Sequence, residues 1–270
     1  MVREFVLQER PLLVCLQETK LNDVRAVLAN ETLVPTFGYV FLPAIGTAGG
    51  VLLRWHHERV LVSDITRGHH SVSAKIKLES ESVEPFWLTV VYGPQLDQDK
   101  VEFLDELLAF RNGVDGPWCV CGDFNMILNR AEKNNDRIDR RGMARFRAFV
   151  NSAQLDEVSL AGRRFTWSSG TELSMLELLD RVFVTADWLT QFLNHLLKSL
   201  SSDCSDHCPL LLNFDVLGRT KRCFRFEAFW AKIHGFYDVV AAAWASTIPQ
   251  ADPFRRLDHK FRNMAKELKR

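Results

Sequence analysis

Trp118-Cys119-Val120-Cys121-Gly122-Asp123-Phe124-Asn125 decides the fold: an apolar run that reads as a strand ends at Gly122 and delivers Asp123 and Asn125 where strand meets loop. At such a junction a rigid sheet can aim polar groups at one ligand. Three other stretches share the arrangement. Gln17-Glu18-Thr19-Lys20 follows the apolar segment from Pro11 to Leu16, Val91-Tyr92-Gly93-Pro94 closes a strand over 86–92, and Ser205-Asp206-His207-Cys208-Pro209 leads into a strand over 209–214. A turn would account for any one of them, because Gly, Asp and Asn are turn formers. Taken in order, the four could aim a carboxylate, a phenol, a carboxamide and an imidazole at one phosphate.

Around these motifs, strand-like segments come thickly, over 38–42, 50–55, 59–66, 71–78 and 86–92, with a further one over Leu179–Val184 and a short one over Phe165–Trp167. That density argues for sheets rather than a helical bundle. Residues 2–9 read as the end of a helix and 22–29 as another. Val101, Leu104, Leu107 and Leu108 have the three-and-four spacing of an amphipathic helix over 97–110, and Met143, Phe146, Phe149 and Val150 mark a helix ending near Leu155. Between them, 129–141 is highly charged and reads as a surface loop. Beyond Leu217 the strand pattern stops: Arg219–Lys221 reads as a boundary, and Phe236–Trp244 and Phe254–Leu268 as helices. The expectation is an α/β (α+β) chain with one domain over 1–217 and a basic helical appendage over 218–270.

The 270 residues, 47% hydrophobic and 25% charged, suit an ordinary globular protein with a sizeable core. Net charge is zero, but residues 219–270 hold 12 Lys/Arg against 5 Asp/Glu, leaving 22 against 29 in the body. An acidic body does not grip a polyanion by net charge, so any such contact must come from a local patch. Charges at Arg3, Glu4, Glu9 and Arg10 interrupt any secretory h-region, and nothing approaches the ~20 apolar residues of a membrane span. The chain therefore reads as intracellular and not membrane-bound, with the nucleus open as its compartment. Cys15, Cys119 and Cys121 lie in strand-like runs and read as reduced, buried thiols; Cys204 and Cys208 flank Asp206 and His207 but lack the spacing of a zinc knuckle.

Cleaving a phosphodiester requires charge neutralisation at the phosphate, an activated water and help for the departing oxygen. Magnesium serves the first when one or two carboxylates hold it among waters, and Glu18 is the candidate ligand. Asp123 and Asn125, two apart after a strand, would point to the same side of an extended backbone, a carboxylate base beside a carboxamide. His207 can donate to a phosphate oxygen that gains charge, provided a partner sets its tautomer and raises its pKa. Asp180 is that partner, with Asp206 nearer the metal. Tyr92 can donate to the phosphate.

The order Leu-Gln-Glu-Thr-Lys, Val-Tyr-Gly-Pro, Gly-Asp-Phe-Asn, Leu-Asp-Arg-Val-Phe-Val and Ser-Asp-His-Cys-Pro-Leu resembles the endonuclease/exonuclease/phosphatase superfamily, which includes deoxyribonuclease I and abasic-site endonucleases. It is most similar to the endonuclease domain of plant-type non-LTR (LINE) retrotransposons, supported by Gly162-Arg163-Arg164-Phe165-Thr166-Trp167-Ser168. The resemblance implies a four-layered α/β/β/α sandwich that nicks DNA with magnesium or manganese. It assigns the metal to Glu18, with Asp206 beside it, the phosphate contact to Tyr92, water activation to Asp123 and its orientation to Asn125. It makes Asp180 the partner of the catalytic His207. It also implies that Phe224–Trp244 connects to a reverse transcriptase.

The family opens with a strand ending in an asparagine at the metal site, whereas the first asparagine here is Asn22, after Glu18. The expectation is therefore a sheet lacking its first strand and a retrotransposon-derived nuclease with impaired chemistry. Two rival readings stay open. One is a phosphatase acting on a non-nucleic phosphoester. The other is a catalytically silent nucleic-acid-binding module using the arginines between Arg130 and Arg147, with Glu132, Asp136 and Asp139 diluting their charge.

Overall fold

Along the chain run α1 (Val2–Glu9), β1 (Leu13–Gln17), β2 (Phe37–Ile45), β3 (Ala48–His56), β4 (Val60–Arg67), β5 (Ser71–Leu78), β6 (Phe86–Tyr92), α2 (Lys100–Asn112) and β7 (Trp118–Asp123). There follow α3 (Arg140–Ser152), β8 (Leu155–Glu157), β9 (Leu160–Ala161), β10 (Trp167–Ser168), β11 (Leu176–Glu177), β12 (Asp180–Thr185), α4 (Ala186–Gln191), β13 (His195–Ser199), β14 (Leu210–Phe214), α5 (Phe236–Ala245) and α6 (Pro253–Glu267). The computed structural model describes residues 2–23, 37–45, 48–80, 83–170, 175–200, 205–214, 235–245 and 253–268. It divides into two compact units, Met1–Leu217 and Gly218–Arg270.

The first unit is built on a six-stranded sheet in the order β4-β5-β6-β7-β12-β8. β6 and β7 are parallel, and α2 makes the crossover between them. Strand alternation sorts the two faces. Trp118, Val120, Val91 and Phe183 point to a cluster with Phe103, Leu104 and Leu107 of α2 and Phe146 and Phe149 of α3. Val72, Ala74, Ile76, Leu88, Val90, Cys119, Val182 and Val184 point the other way, onto Val40, Val51 and Leu53 of β2 and β3 and Leu197 of β13. That second layer of strands consists of two small sheets, β1-β3-β2 and β14-β13-β9. Leu197 faces the core, so its neighbour Lys198 faces outward, where it meets Glu9 of α1 at 3.6 Å. Helices, large sheet, small sheets and α1 are thus the four layers of an α/β/β/α sandwich.

Several elements differ from the sequence expectation. The helix over 97–110 forms as α2, three residues further on. Helix α3 stops at Ser152, and Leu155 opens β8 instead of ending the helix. The strand at Phe165–Trp167 shrinks to β10, whose partner β11 has no clear signal in the sequence. The same holds for α4 and β13. The expected helix over 22–29 falls mostly outside the described residues, as do Cys204 and Arg219–Lys221. Cys119 is buried, and Cys15 and Cys121 are partly buried, packed against the core between the sheets.

Arg181 sits on β12 fully buried and ion-paired to Glu132 and Glu157, with Phe146 under its guanidinium. Removing either acid would leave a buried charge undercompensated.

In the second unit, Trp244 of α5 meets Phe261 of α6 at 5.7 Å between ring centroids, and the Lys260 ammonium lies over the Trp244 ring. Asn263 donates to the Ala243 carbonyl at 3.3 Å. Among the described residues no helix is long and apolar enough to cross a membrane.

Candidate active site

Tyr92 ends β6, Asp123 ends β7 and Asp180 begins β12, and the ladders pair Tyr92 with Asp123 and Asp123 with Asp180. Three polar side chains therefore stand in one row across three central strands, about 4.8 Å from strand to strand. Paired residues share a face, and alternation puts this row on the face turned toward the small sheets. The row is held by small residues. Gly122 has φ +135°, and a Cβ there would collide with the Val91 carbonyl. Gly93 lies against the Phe124 backbone, and its N–H donates to the Asp123 carbonyl at 2.7 Å.

Phe124, fully buried between the two site residues, anchors the loop by packing on Phe103, Phe146 and Phe183. Burial of one such ring stabilises by about 1.5 to 3 kcal/mol.

Asn125 corrects one expectation. The backbone is not extended from Asp123; Asn125 adopts φ +49°, a left-handed turn that asparagine tolerates. Its N–H donates to Asp123 Oδ1 at 2.8 Å, and its Nδ2 donates to the Gly93 carbonyl at 2.8 Å. It stitches the Asp123 loop to the Tyr92 loop.

The other three residues arrive from the small-sheet layer. Glu18 follows β1 with φ +50°, and the chain after it docks on the start of β3, Thr19 N–H donating to Gly50 O at 3.2 Å and Lys20 N–H to Gly49 O at 3.1 Å. Its charge is felt at both Tyr92 and Asp123. His207, just before β14, meets Asp180 with Nδ1 to Oδ2 at 2.8 Å. Asp206 accepts from Trp167 Nε1 at 3.0 Å, and its charge reaches Tyr92 and His207. All seven residues singled out in the sequence therefore come together at one end of the sandwich.

Three more belong to the same neighbourhood and are not evident from sequence. The Thr166 hydroxyl, buried, accepts from the N–H groups of both Leu179 and Asp180 at 3.0 Å. Ser168 N–H donates to Asp206 O and Cys208 N–H to Thr166 O, so 166–168 clamps the His207 loop to the start of β12. Gln95 lies at the Tyr92 phenol and offsets part of the rise in its pKa. The Thr166-Trp167 pair stands inside the motif that carries the resemblance, but nothing in its composition reveals what a hydroxyl there would bind.

The electrostatics follow from crowding. Burial, then the charges of Asp180 and Glu18, push the Asp123 carboxyl up to about 7, against the pull of the Asn125 N–H and His207. Burial disfavours the His207 imidazolium, but the Asp180 hydrogen bond and charge, with Asp123 and Asp206 behind it, outweigh that and push it up to about 9. Burial, Glu18 and Asp123 push the Tyr92 phenol up to about 12. At neutral pH His207 is thus an imidazolium and Tyr92 a phenol, both donors.

Among the described residues no three His, Cys, Asp or Glu side chains form a ready metal cage. Magnesium does not need one, since it keeps several waters and takes one or two carboxylates. Glu18, Asp123 and Asp206 surround Tyr92 with negative charge, and Asp123 is raised by burial first and then by the charges of Asp180 and Glu18. Lys20, 3.2 Å from Glu18, is largely exposed and screens little of it. The donor set fits a hard, oxygen-seeking cation.

Residues 1–207 match the sequence profile of the Endonuclease/Exonuclease/phosphatase family. No curated protein matches the chain. The fold is similar to the endonuclease domain of TRAS1, a telomere-specific non-LTR retrotransposon, with TM-score 0.60 and 14% identity over 80% of this chain and 92% of that one. It is similar also to a functionally unknown conserved protein from Enterococcus faecalis V583, with TM-score 0.54 and 16% identity over 80% and 89%. A third likeness is to D. rerio TDP2 complexed with single strand DNA product, with TM-score 0.53 and 14% identity over 78% and 89%.

Proposed function

We propose that the chain, which belongs to the endonuclease/exonuclease/phosphatase family, is a magnesium-dependent phosphodiesterase of the DNA endonuclease type. One observation carries the reading: Tyr92, Asp123 and the Asp180–His207 pair converge from two layers of strands on a space bordered by Glu18 and Asp206. When bound, magnesium or manganese held by Glu18, with Asp206 in its surround, would neutralise charge on the phosphate.

Asp123, as carboxylate, takes a proton from the attacking water. Asn125 holds Asp123 through its own N–H and joins the loops on which Asp123 and Tyr92 stand. Tyr92 donates its phenol hydrogen to a phosphate oxygen. His207, its Nδ1 engaged by Asp180, presents Nε2–H to the oxygen on which charge develops, a donation of the kind worth roughly 10²–10³ in rate. Likeness to a TRAS1 endonuclease domain and to a DNA-bound TDP2 favours DNA as the polymer.

A supercoiled-plasmid assay with magnesium tests this. The expected result is nicked circles that disappear in EDTA and in His207→Ala. Nicking that survives His207→Ala would remove the imidazole from the mechanism. Phosphate released from inositol phosphates without nicking would move the substrate away from nucleic acid.

A further inference from the structure

The charged segment between Asn125 and Phe149 resolves into engaged acids and unengaged arginines. Glu132 pairs with buried Arg181 and accepts from the N–H groups of Leu128 and Asn129. Asp136 pairs with Arg130, Asp139 caps α3 by accepting from Arg141 N and Gly142 N, and Glu177 holds Lys133 at 2.6 Å. Arg147 donates to the Leu128 carbonyl and to Asn129. Among the described residues, Arg137, Arg140, Arg141 and Arg145 are exposed and have no carboxylate partner within ion-pair distance. Helix α3 contains four arginines and no acid, and two of them occupy its first turn, where the helix dipole disfavours cations. Folding stability does not ask for that placement.

Two observations locate Arg137 and Arg145 relative to the site. Arg137 lines a cleft together with Asn125, Met126 and Ile127 and with Gly142 and Met143 of α3, and the two acids there are engaged, Asp139 as the α3 cap and Glu177 with Lys133. Asp97, on the turn that follows Tyr92 and Gly93, is held below its ordinary range first by the Lys100 hydrogen bond and charge, with Arg145 adding to the effect. Arg137 and Arg145 therefore stand near the rim that carries Asn125 and the Tyr92 turn, and Arg140 and Arg141 adjoin them on the first turn of α3.

We infer that Arg137, Arg140, Arg141 and Arg145 form a track for the backbone phosphates that flank the scissile one, and that the substrate is duplex DNA rather than a small phosphoester. The inference rests on the phosphodiesterase reading for the position of the scissile phosphate. The body of the chain, residues 1–218, is acidic, with 22 Lys/Arg against 29 Asp/Glu. A local cationic rim is consequently what can hold a polyanion, and guanidinium groups left unpaired are suited to doing so.

The test is binding of a fluorescein-labelled 30-base-pair duplex in EDTA, titrated with KCl, so that it does not depend on cleavage. The quadruple Arg→Gln variant at these positions, melting as the parent does, is expected to bind at least tenfold more weakly. Its plot of log affinity against log salt should be shallower by about 0.9 for each phosphate no longer neutralised. The quadruple Arg→Lys variant should keep most of the slope. An Arg59→Gln/Lys77→Gln variant, altered at the far end of the sheet, should bind as the parent. Parental affinity and slope in the Gln variant, or a parent that shows no salt-dependent binding, would overturn the inference. Plasmid nicking by the parent scores the phosphodiesterase reading separately.

Discussion

Asp123 and Asp180 stand on β7 and β12, strands buried along nearly their whole length, whereas β1 and β14, the strands next to Glu18 and His207, contain no fully buried residue. The large-sheet half of the site is fixed by ladder pairing and a packed core. In the small-sheet half β1 and β14 are also laddered, but the loops beyond them that carry Glu18 and His207 are held by individual hydrogen bonds, notably those of Thr19, Lys20, Thr166 and Trp167. Damage to the first should therefore cost more stability than damage to the second.

The pair that bridges the two halves should give the largest effect. Asp180→Asn is expected to lower plasmid nicking by about 10²–10⁴-fold, with a far smaller shift in the unfolding midpoint. For the parent, activity should rise with pH as Asp123 loses its proton near 7 and fall as His207 loses its own near 9. A cation bound at the site would draw the lower limb down, because opposite charge favours the carboxylate. In Asp180→Asn the upper limb should retreat toward the ordinary imidazole range. An upper limb that stays put would show that Asp180 does not set the His207 proton affinity.

Two glycines compare the layers directly. Gly122→Ala forces a side chain into the Val91 carbonyl at φ +135°, and urea unfolding should reveal a loss of about 3 kcal/mol. Gly50→Ala, at φ +91°, collides with the movable Thr19 hydroxyl and meets the Lys20 and Ala44 backbone only at ordinary contact distance, and should lose about 1 to 2 kcal/mol. Equal losses would erase the distinction between the halves.

Thr166→Val leaves the N–H groups of Leu179 and Asp180 without their acceptor, at about 1 to 3 kcal/mol in the same unfolding measurement, and nicking should fall with it. The smallest effect belongs to Lys20→Ala. Its exposed pair with Glu18 should contribute no more than about 0.5 kcal/mol, and nicking should stay within about twofold. A larger loss would mean that the pair positions Glu18.

Much of this is legible in the sequence because strands and loops there have unambiguous punctuation. The apolar run from Trp118 and the Gly122 that ends it fix β7 within two residues, and β5 and β6 lie where alternation and turn residues place them. The family membership of residues 1–207 agrees with the resemblance carried by the motifs. What escapes a sequence reading depends on partners distant along the chain. Arg181, in an otherwise apolar strand, is buried only because Glu132 and Glu157 come to meet it. Strand β13 gains its pairing from β9 and β14, and a short mixed segment such as His195–Ser199 has no period strong enough to announce that. Asn125 reads as the next residue of an extended chain until its left-handed turn is seen. The acids among the arginines read as dilution until each acid is found with its partner.

Because Tyr92, Asp123 and Asp180 are neighbours by ladder pairing, the proposed catalysis is a matter of alignment as much as of composition. Inserting a single residue into β7 upstream of Asp123 would offset the whole strand by one step, turn the carboxylate from the gap between the sheets toward the helices, and separate it from both flanking partners. Every amino acid the chemistry requires would still be present, and the protein would have none of the chemistry.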